Sequence, residues 1–572
     1  MHGAEILVKM LETQGVEVLF GLPGDTTMAF YDALRDSTIR HVLGRDERST
    51  GYMADAYARL SSKPGVVEGP SGGGATYLLP AAAESDDSSI PVVLLTSDTP
   101  LSSDNRASIT SLDQTALYGA VTRKSVRALR PEFIPHLVRL AFRSATAPPG
   151  GAAHIAFPED VLSAGVPDDL DMGACLPATR YPAWRARPDA DGVTKTFELA
   201  RGAERPLILC GGGVHLSRAG GAVLTLAEYL GAGIVTSMDG KGSVPEDHPS
   251  VLGVIGGNGA KEACNRAVSE CDFLLAIGTK LNSTTTWGGQ LLAHSPTLVH
   301  IDVDPEKLGL NADPEVAILA DARLAAEDLL AAAHDAGSPR GYPEWLKALR
   351  DEADEEIRAA HSEDLTATGH LHPGGVFGAL EATLPRESVL IADAGTPTPY
   401  MMAYYRTRGS GRTAYAARSH GSLGYALPAA LGAHLARPGD PVVALVGDGS
   451  LNMTLGELET LAAFEGPTIV IHFRNEAYGW IKMLQKLYYE ERYLSVDFSG
   501  RSSYVEAARA LGARAVAASN RRELSQEIER SLETNLSFIE IAVPAETELT
   551  PPVAAWRRDE ALSPEARRRR SY

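Results

Sequence analysis

Two periodicities alternate along this chain. After a helical stretch from Ala4, the apolar run Val16–Phe20 is short and continuous, a Gly-Leu-Pro-Gly turn and a second helical stretch follow, and another apolar run occupies Ile39–Leu43. Short apolar runs bounded by turn residues and separated by helix-period segments predict buried strands of a parallel sheet, each followed by a crossover helix. The alternation continues through Pro91–Thr96 and Ala153–Phe157, so residues 1–165 read as one parallel α/β layer structure.

Between Pro167 and about Arg187 the periodicity lapses into a linker composition of Pro, Asp and Ala. A second unit, 188–335, carries strand-like Pro206–Cys210, Gly233–Ser237, Phe273–Ile277 and Leu298–Val303. Its Gly211-Gly212-Gly213 turn lacks the G-x-G-x-x-G spacing and reads as a tight strand-to-helix turn. A charged, Ala-rich helix over about Pro343–His361 leads into a third unit, 365–550, with strands at Ser388–Ala392, Val442–Val446, Thr468–Phe473 and Ser537–Ile541, and 551–572 remain as a tail. The fold class expected is α/β, three doubly wound parallel-sheet domains with a Rossmann-like central one, the first and third alike.

Composition narrows the function. The length of 572 residues exceeds what one core organises, and a net charge of −20 disfavours nucleic acid and anionic membranes as partners. With no run of 18 apolar residues, no basic segment opening onto a long apolar one, and four cysteines (175, 210, 264 and 271) without a C-x-x-C pair, a cytoplasmic protein is expected. The Arg567–Arg570 run reads as a solvated, disordered end.

The chemistry concentrates in the last third. Val442–Val446 ends in Gly447-Asp448-Gly449-Ser450, and a helical stretch, Leu455–Phe464, follows. A carboxylate at the carboxyl end of a parallel strand faces the crevice where α/β sheets bind ligands, and Gly449 lets backbone approach a phosphate. After Gly449, 25 residues (450–474) precede Asn475, enough for a helix and one buried strand, so Asn475 should emerge beside Asp448. Mg²⁺ takes six oxygens, and Asp448, Asn475 and the carbonyl of Ala477 would fill the protein's share.

Gly-Asp-Gly, the 25-residue gap and Arg474-Asn-Glu-Ala-Tyr-Gly479 together resemble the thiamine diphosphate motif, with Arg474 in place of the first of its two asparagines. The segment Ser419–Gly432 resembles the family's aminopyrimidine-holding stretch. By that resemblance Leu423 wedges between the two cofactor rings and the carbonyl of Gly421 orients the 4′-amino group. Asp393-Ala-Gly-Thr396 matches the loop that adds diphosphate contacts through Asp393, Gly395 and Thr396, joined by Gly449, Ser450, Tyr478 and Gly479. Thr396-Pro397 stands where acetohydroxyacid synthase relatives often carry Gln-His.

Toward the N-terminus, Arg45-Asp-Glu-Arg48 with Met53–Arg59 resembles the family's Arg-His-Glu segment, and Pro70–Thr76 resembles its Thr-Ser-Gly-Pro-Gly-Ala-Thr loop. Glu47 thereby takes the place of the catalytic glutamate, a carboxyl that shares a proton with ring nitrogen N1′ and is raised in pKa by water exclusion. Asp25 matches an aspartate that handles substrate protons in the pyruvate decarboxylase branch, though it equally suits a turn or cap, and the His-His pair of that branch is absent. Gln114 matches a glutamine that reaches the site in acetohydroxyacid synthase relatives, and His420 is a candidate acid/base.

The resemblance, to the acetohydroxyacid synthase and pyruvate decarboxylase family, covers about 1–550. It implies a pyrimidine-binding, a central and a diphosphate-binding domain, cofactors thiamine diphosphate and Mg²⁺, and a homodimer or homotetramer. Some relatives hold FAD centrally; the Gly278–Thr286 run departs from their Arg-Phe-Asp-Asp-Arg, which disfavours it. The implied reaction is carboligation, decarboxylation of a pyruvate-like 2-oxo acid followed by addition to a carbonyl acceptor. The alternatives are a non-oxidative decarboxylase, a sulfoacetaldehyde acetyltransferase-like acyl transfer, and a catalytically silent cofactor-binding scaffold.

Overall fold

The computed structural model describes residues 1–568 apart from 168, 169, 171, 174–177 and 336. Part of the expected linker, Cys175, and Arg569 and Arg570 of the terminal run thus lie outside the described residues.

Among the described residues eighteen strands form three six-stranded sheets in which every pairing is parallel. The first holds β1 (Val18–Gly21), β2 (Arg40–Leu43), β3 (Gly65–Gly69), β4 (Val92–Asp98), β5 (Lys124–Arg127) and β6 (Ala152–Pro158), in the order β2-β1-β3-β4-β6-β5. The second holds β7 (Pro206–Cys210), β8 (Gly233–Thr236), β9 (Val251–Val254), β10 (Phe273–Ile277), β11 (Thr297–Asp302) and β12 (Val316–Leu319), ordered β12-β11-β10-β7-β8-β9. Read from the other edge this is 3-2-1-4-5-6, the Rossmann order. The third holds β13 (Val389–Ala392), β14 (Ala414–Tyr415), β15 (Val442–Gly447), β16 (Thr468–Arg474), β17 (Arg514–Ala518) and β18 (Leu536–Ala542), ordered β14-β13-β15-β16-β18-β17. The first and third sheets therefore share one strand order, and all three are doubly wound as the apolar runs predicted.

Burial explains which strands the pattern revealed. β4, β6, β7 and β10 are buried at every position, so helices cover both faces and the sequence is mostly apolar, Thr96, Ser97, Asp98 and His154 being the buried polar exceptions. The edge strands β5 and β17 are partly exposed, and β14 has only two residues. These left no apolar run to read.

Two compact units result. One comprises Met1–Trp184 with 417–438 and 454–464; the other comprises Arg185–Ala416, Gly439–Met453 and Glu465 onward. Residues 417–438 thus pack with the first sheet although they lie in the third sequence block. The helix Ala426–Ala436 comes so close to the helix Glu47–Ser61 that a Cβ on Gly432 would stand 2.0 Å from the Met53 carbonyl oxygen. Glycine is the residue that permits this approach.

Residues 551–568, expected as part of a tail, carry two helices. The helices Ala554–Glu560 and Pro564–Arg568 fold onto the second unit, with Trp556 fully buried and its ring centroid 4.2 Å from that of Trp480. Burial of the indole offsets part of the cost of ordering this short polar segment. Among the described residues no helix is long and apolar enough to cross a membrane.

Candidate active site

Strand order locates the crevices. β13 connects to β14 on one side while β15 connects to β16 on the other, so the loops after β13 and β15 diverge and leave a cleft at the carboxyl ends of two adjacent strands. Asp393–Thr396 follows β13, Asp448 follows β15 and Asn475 follows β16. β1 and β3 form the matching switch point of the first sheet, with Gly21–Gly24 and Pro70–Gly74 at its rim.

In the second unit the predicted cluster is brought together. Asp448, 2% exposed, opens the helix Asp448–Thr454 directly from β15, so no turn separates strand from helix; the helical stretch expected at Leu455–Phe464 is a second, shorter helix, Glu457–Ala462. The Asp448 Oδ2 accepts the backbone N–H groups of Asn475 (2.8 Å) and Glu476 (3.0 Å). Glu476 holds a left-handed backbone, φ 58°, and this bend turns both N–H groups onto one carboxylate oxygen. The Asn475 Oδ1 accepts from the Ala477 N–H at 3.3 Å.

Glycines at the cleft act differently from one another. A Cβ on Gly395 (φ 120°) or Gly447 would meet nothing within 4 Å, so open space lies beside Asp393 and Asp448. On Gly449 it would lie 2.4 Å from Cε1 of Tyr478, so this glycine makes room for the tyrosine ring. Tyr478 also packs on Phe498, ring centroids 4.8 Å apart. Gly479 makes room for the carboxylate of Glu546, whose Oε2 a Cβ there would meet at 1.6 Å. The Thr396 hydroxyl donates to Glu546 Oε1, and Ser450 and Asp393 are buried.

A charge network lies behind Asp448. His472, fully buried on β16, has Nε2 3.3 Å from Asp448 Oδ1 and Nδ1 3.4 Å from Glu540 Oε2. Burial lowers its pKa, and the two carboxylates outweigh burial, so the imidazole lies above its ordinary value. Arg474, at the family's asparagine position, donates to Glu540 Oε1 (3.1 Å) and Glu476 Oε1 (2.8 Å) and braces the loop from outside.

In the first unit Glu47 is the first residue of the helix Glu47–Ser61, and Asp46 is its N-cap, accepting from the Ser49 N–H at 3.2 Å. Asp46 thus does the capping and leaves Glu47 free for other chemistry. A Cβ on Gly74 would sit 2.9 Å from Glu47 Oε1. Burial, with a contribution from Asp46, raises the Glu47 pKa. Behind it, Glu68 on β3 is 3% exposed and accepts from the Tyr31 hydroxyl at 2.6 Å; His41 Nε2 lies 3.0 Å from that hydroxyl and donates to it. Burial pushes the Glu68 carboxyl up to about 8, the Tyr31 hydrogen bond opposes it and the Glu47 charge adds to it.

The loop before Ala426 is tied down by buried ions. Glu84 accepts from the His420 N–H (2.8 Å) and from Arg59 Nη2 (3.1 Å), Arg59 Nε pairs with Asp55 Oδ1 (2.5 Å), and the Tyr425 hydroxyl donates to the same oxygen (2.5 Å). Leu423 is only half-buried and Gly421 (φ 76°) faces open space, so an apolar side chain and an unobstructed backbone stand at the surface of this unit. The His420 side chain is exposed.

Two predicted residues are placed otherwise. Gln114, 2% exposed, commits its amide internally: Oε1 accepts from Thr96 and Nε2 donates to the Ser97 carbonyl at 2.8 Å. Thr96 also bonds His154, which stacks on Tyr118 at 3.8 Å, so Gln114 belongs to a closed core network. Asp25 is exposed at the start of the short 3₁₀ turn Asp25–Thr27, and Thr27, not Asp25, closes that turn onto Gly24 at 2.9 Å.

Glu546, His472, Glu68 and Glu84 were missed by sequence reasoning. His472 and Glu68 left a signal, a single polar residue interrupting a buried strand (Thr-Ile-Val-Ile-His-Phe and Gly-Val-Val-Glu-Gly). Glu546 follows β18 and Glu84 lies on a helix, and neither position has a pattern to break.

The donors fit a hydrated cation and a diphosphate. Asp448 Oδ1 has no aligned hydrogen bond among the described residues, and open space lies beside Gly395 and Gly447. No group of three or more His, Cys, Asp or Glu side chains among the described residues could hold a metal, so a cation here would draw on one carboxylate, one amide and backbone oxygen, a donor set suited to Mg²⁺.

Strand order and side chains define a doubly wound α/β protein with ligand crevices at its switch points. Family profiles extend this: residues 1–117 match the thiamine pyrophosphate enzyme N-terminal TPP binding domain, 193–329 its central domain and 393–541 its C-terminal TPP binding domain. The chain belongs to the thiamine pyrophosphate enzyme family and is a thiamine diphosphate-dependent enzyme. It is 31% identical to a probable acetolactate synthase large subunit of Methanocaldococcus jannaschii over 94% of this chain and 91% of the relative. It is 29% identical to an acetolactate synthase of Mycobacterium bovis (97% and 90% covered), and 33% identical to a probable 2-ketoarginine decarboxylase of Pseudomonas aeruginosa (84% and 83%).

Proposed function

We propose that this enzyme is a carboligase that decarboxylates a 2-oxo acid such as pyruvate and adds the retained fragment to a carbonyl acceptor. The convergence of Asp393–Thr396, Asp448–Ser450 and Asn475–Gly479 at the carboxyl ends of β13, β15 and β16 supports the cofactor site, and the likeness to acetolactate synthases over more than nine tenths of the chain carries carboligation. When bound, thiamine diphosphate supplies a nucleophilic carbon and an electron sink for decarboxylation. Asp448, Asn475 and the carbonyl of Ala477 hold Mg²⁺, and the open backbone at Gly395 and Gly447 admits the diphosphate. Glu47, its carboxyl raised above the ordinary range by burial, holds a proton more firmly than an exposed glutamate does and exchanges it at that carboxyl. Leu423 offers an apolar surface and the Gly421 carbonyl an acceptor, both held by the Glu84–Arg59–Asp55 ions.

The reading places the enzyme in the cytoplasm, without flavin, as a homodimer or homotetramer. The buried, unpaired cysteines 210, 264 and 271 support the compartment, the Gly278–Thr286 run supports the absence of flavin, and the family resemblance supports the assembly. A second reading, decarboxylation ending in a free aldehyde, is favoured by the relative named as a 2-ketoarginine decarboxylase. Incubating the protein with a panel of 2-oxo acids and aldehydes, thiamine diphosphate and Mg²⁺, and identifying products by mass spectrometry, separates the two. A 2-hydroxy ketone or 2-hydroxy acid is expected; aldehyde alone selects the second reading, and no CO₂ from any 2-oxo acid overturns both.

A further inference from the structure

Glu546 is an acidic side chain of the diphosphate cleft to which the proposed function gives no role. It is 2% exposed, in the turn after β18, where an anion would be expected to repel a diphosphate. Its contacts give the reason it is tolerated. Oε1 accepts the Thr396 hydroxyl, Oε2 accepts Nδ2 of Asn475 at 3.1 Å, and the absence of a side chain on Gly479 leaves it space.

An asparagine amide has a donor end and an acceptor end of nearly the same shape, and only its neighbours decide which way it faces. A cation needs the oxygen. A carboxyl group beside the amide demands the NH₂, and the oxygen must then face the other way. In this chain the Asn475 Oδ1 is turned from Glu546 and lies within 3.3 Å of the Ala477 N–H, on the loop whose neighbouring N–H groups bind Asp448. We infer that Glu546 is a positioning residue: by accepting Nδ2 it selects the amide orientation in which Asn475 presents oxygen to the metal. The effect does not depend on ionisation, because a neutral carboxyl still offers its carbonyl oxygen to the NH₂. The inference rests on the proposed metal role of Asn475.

The test reads metal affinity on the full chain, with Mn²⁺ as probe by electron paramagnetic resonance, in the presence of thiamine diphosphate, and with the thermal midpoint followed in parallel. Glu546→Gln keeps an acceptor that can turn to Nδ2 and is expected to bind Mn²⁺ within about threefold of wild type. Glu546→Leu removes the acceptor and is expected to weaken binding about 10- to 100-fold, as loss of outer-shell partners of a metal ligand does. Gly479→Ala is an independent arm. A methyl there displaces the Glu546 carboxylate without altering Glu546 or Asn475, and alanine suits the helix start, so the same weakening is expected even if Glu546→Leu does not fold. Equal losses in Glu546→Gln and Glu546→Leu would mean that the carboxylate itself ligates the metal, and full affinity in Gly479→Ala would mean that it orients nothing; either overturns the inference. Asn475→Ala distinguishes the underlying reading, because if it binds Mn²⁺ normally the metal role of Asn475 fails first.

Discussion

Replacing Glu68 by glutamine tests the electrostatics of the first unit through their sign. The Glu68 carboxyl lies near 8 in the folded protein against an ordinary 4.5, so between these values the folded state retains a proton that the unfolded state loses. A raised carboxyl makes the fold most stable below about pH 4.5 and weakens it as pH rises toward 8. At 1.36 kcal/mol per unit the shift of about 3.5 units amounts to about 5 kcal/mol, an upper figure. Glutamine cannot ionise and loses this slope. It also places an NH₂ beside the position of Oε1, which has no hydrogen-bond partner among the described residues, at a pH-independent cost of about 1–3 kcal/mol. Glu68→Gln should therefore be less stable than wild type at pH 5 and more stable at pH 8. His41, lowered to about 4 by burial, contributes the opposite slope below 6.5, but it does so in both proteins and cancels in the difference. Urea melts read by pulsed hydrogen exchange in peptides of β1 and β3 follow this unit alone. Parallel stability curves for the two proteins from pH 5 to 8 would refute the reasoning.

The remaining predictions concern the cleft and its supports. Glu47→Gln should lower turnover at least about 100-fold while thiamine diphosphate, titrated by fluorescence quenching, still binds; unchanged turnover would remove Glu47 from the chemistry. Gly449→Ala puts a methyl 2.4 Å from Tyr478 and should destabilise the second unit by about 1–3 kcal/mol, with weaker cofactor binding seen in the same titration. Arg59→Met leaves Asp55 and Glu84 buried without their cation and should cost about 3–5 kcal/mol in the first unit's urea melt, and a loss below about 1 would show the ions to be dispensable. Treatment with EDTA should release thiamine diphosphate on gel filtration, and added Mg²⁺ should restore binding.

Local sequence determined a great deal here. Runs such as Val92–Leu95 and Val442–Val446 are apolar throughout because helices cover both faces of a parallel sheet, so their burial is written in composition. Gly-Asp-Gly and the later asparagine were legible because a carboxylate at one strand's end and an amide at the end of the next must meet when the strands are neighbours, as β15 and β16 are. The edge strands β5, β14 and β17, the anchoring of the last segment by Trp556 and the packing of Gly432 against the helix of Glu47 depend on partners far away in the chain, and no local pattern marks them.

The same division runs through the site. Sequence proposed Gln114 because its residue type and neighbours resembled a motif, but whether an amide faces a cleft or closes a core network is decided by the groups at both its ends, Thr96 and Ser97 in this case. It could not propose Glu546, 71 residues from Asn475, because a lone glutamate in a turn acquires meaning only from what the fold sets against it. The chain's own pattern thus determined the three sheets and the ligand types at their edges, since both follow from periodicity and strand order. Tertiary structure alone decided which of those groups are braced, which are buried without an ion partner and which way an amide turns, because these depend on desolvation and on hydrogen-bond partners that only folding brings within 3 Å or so.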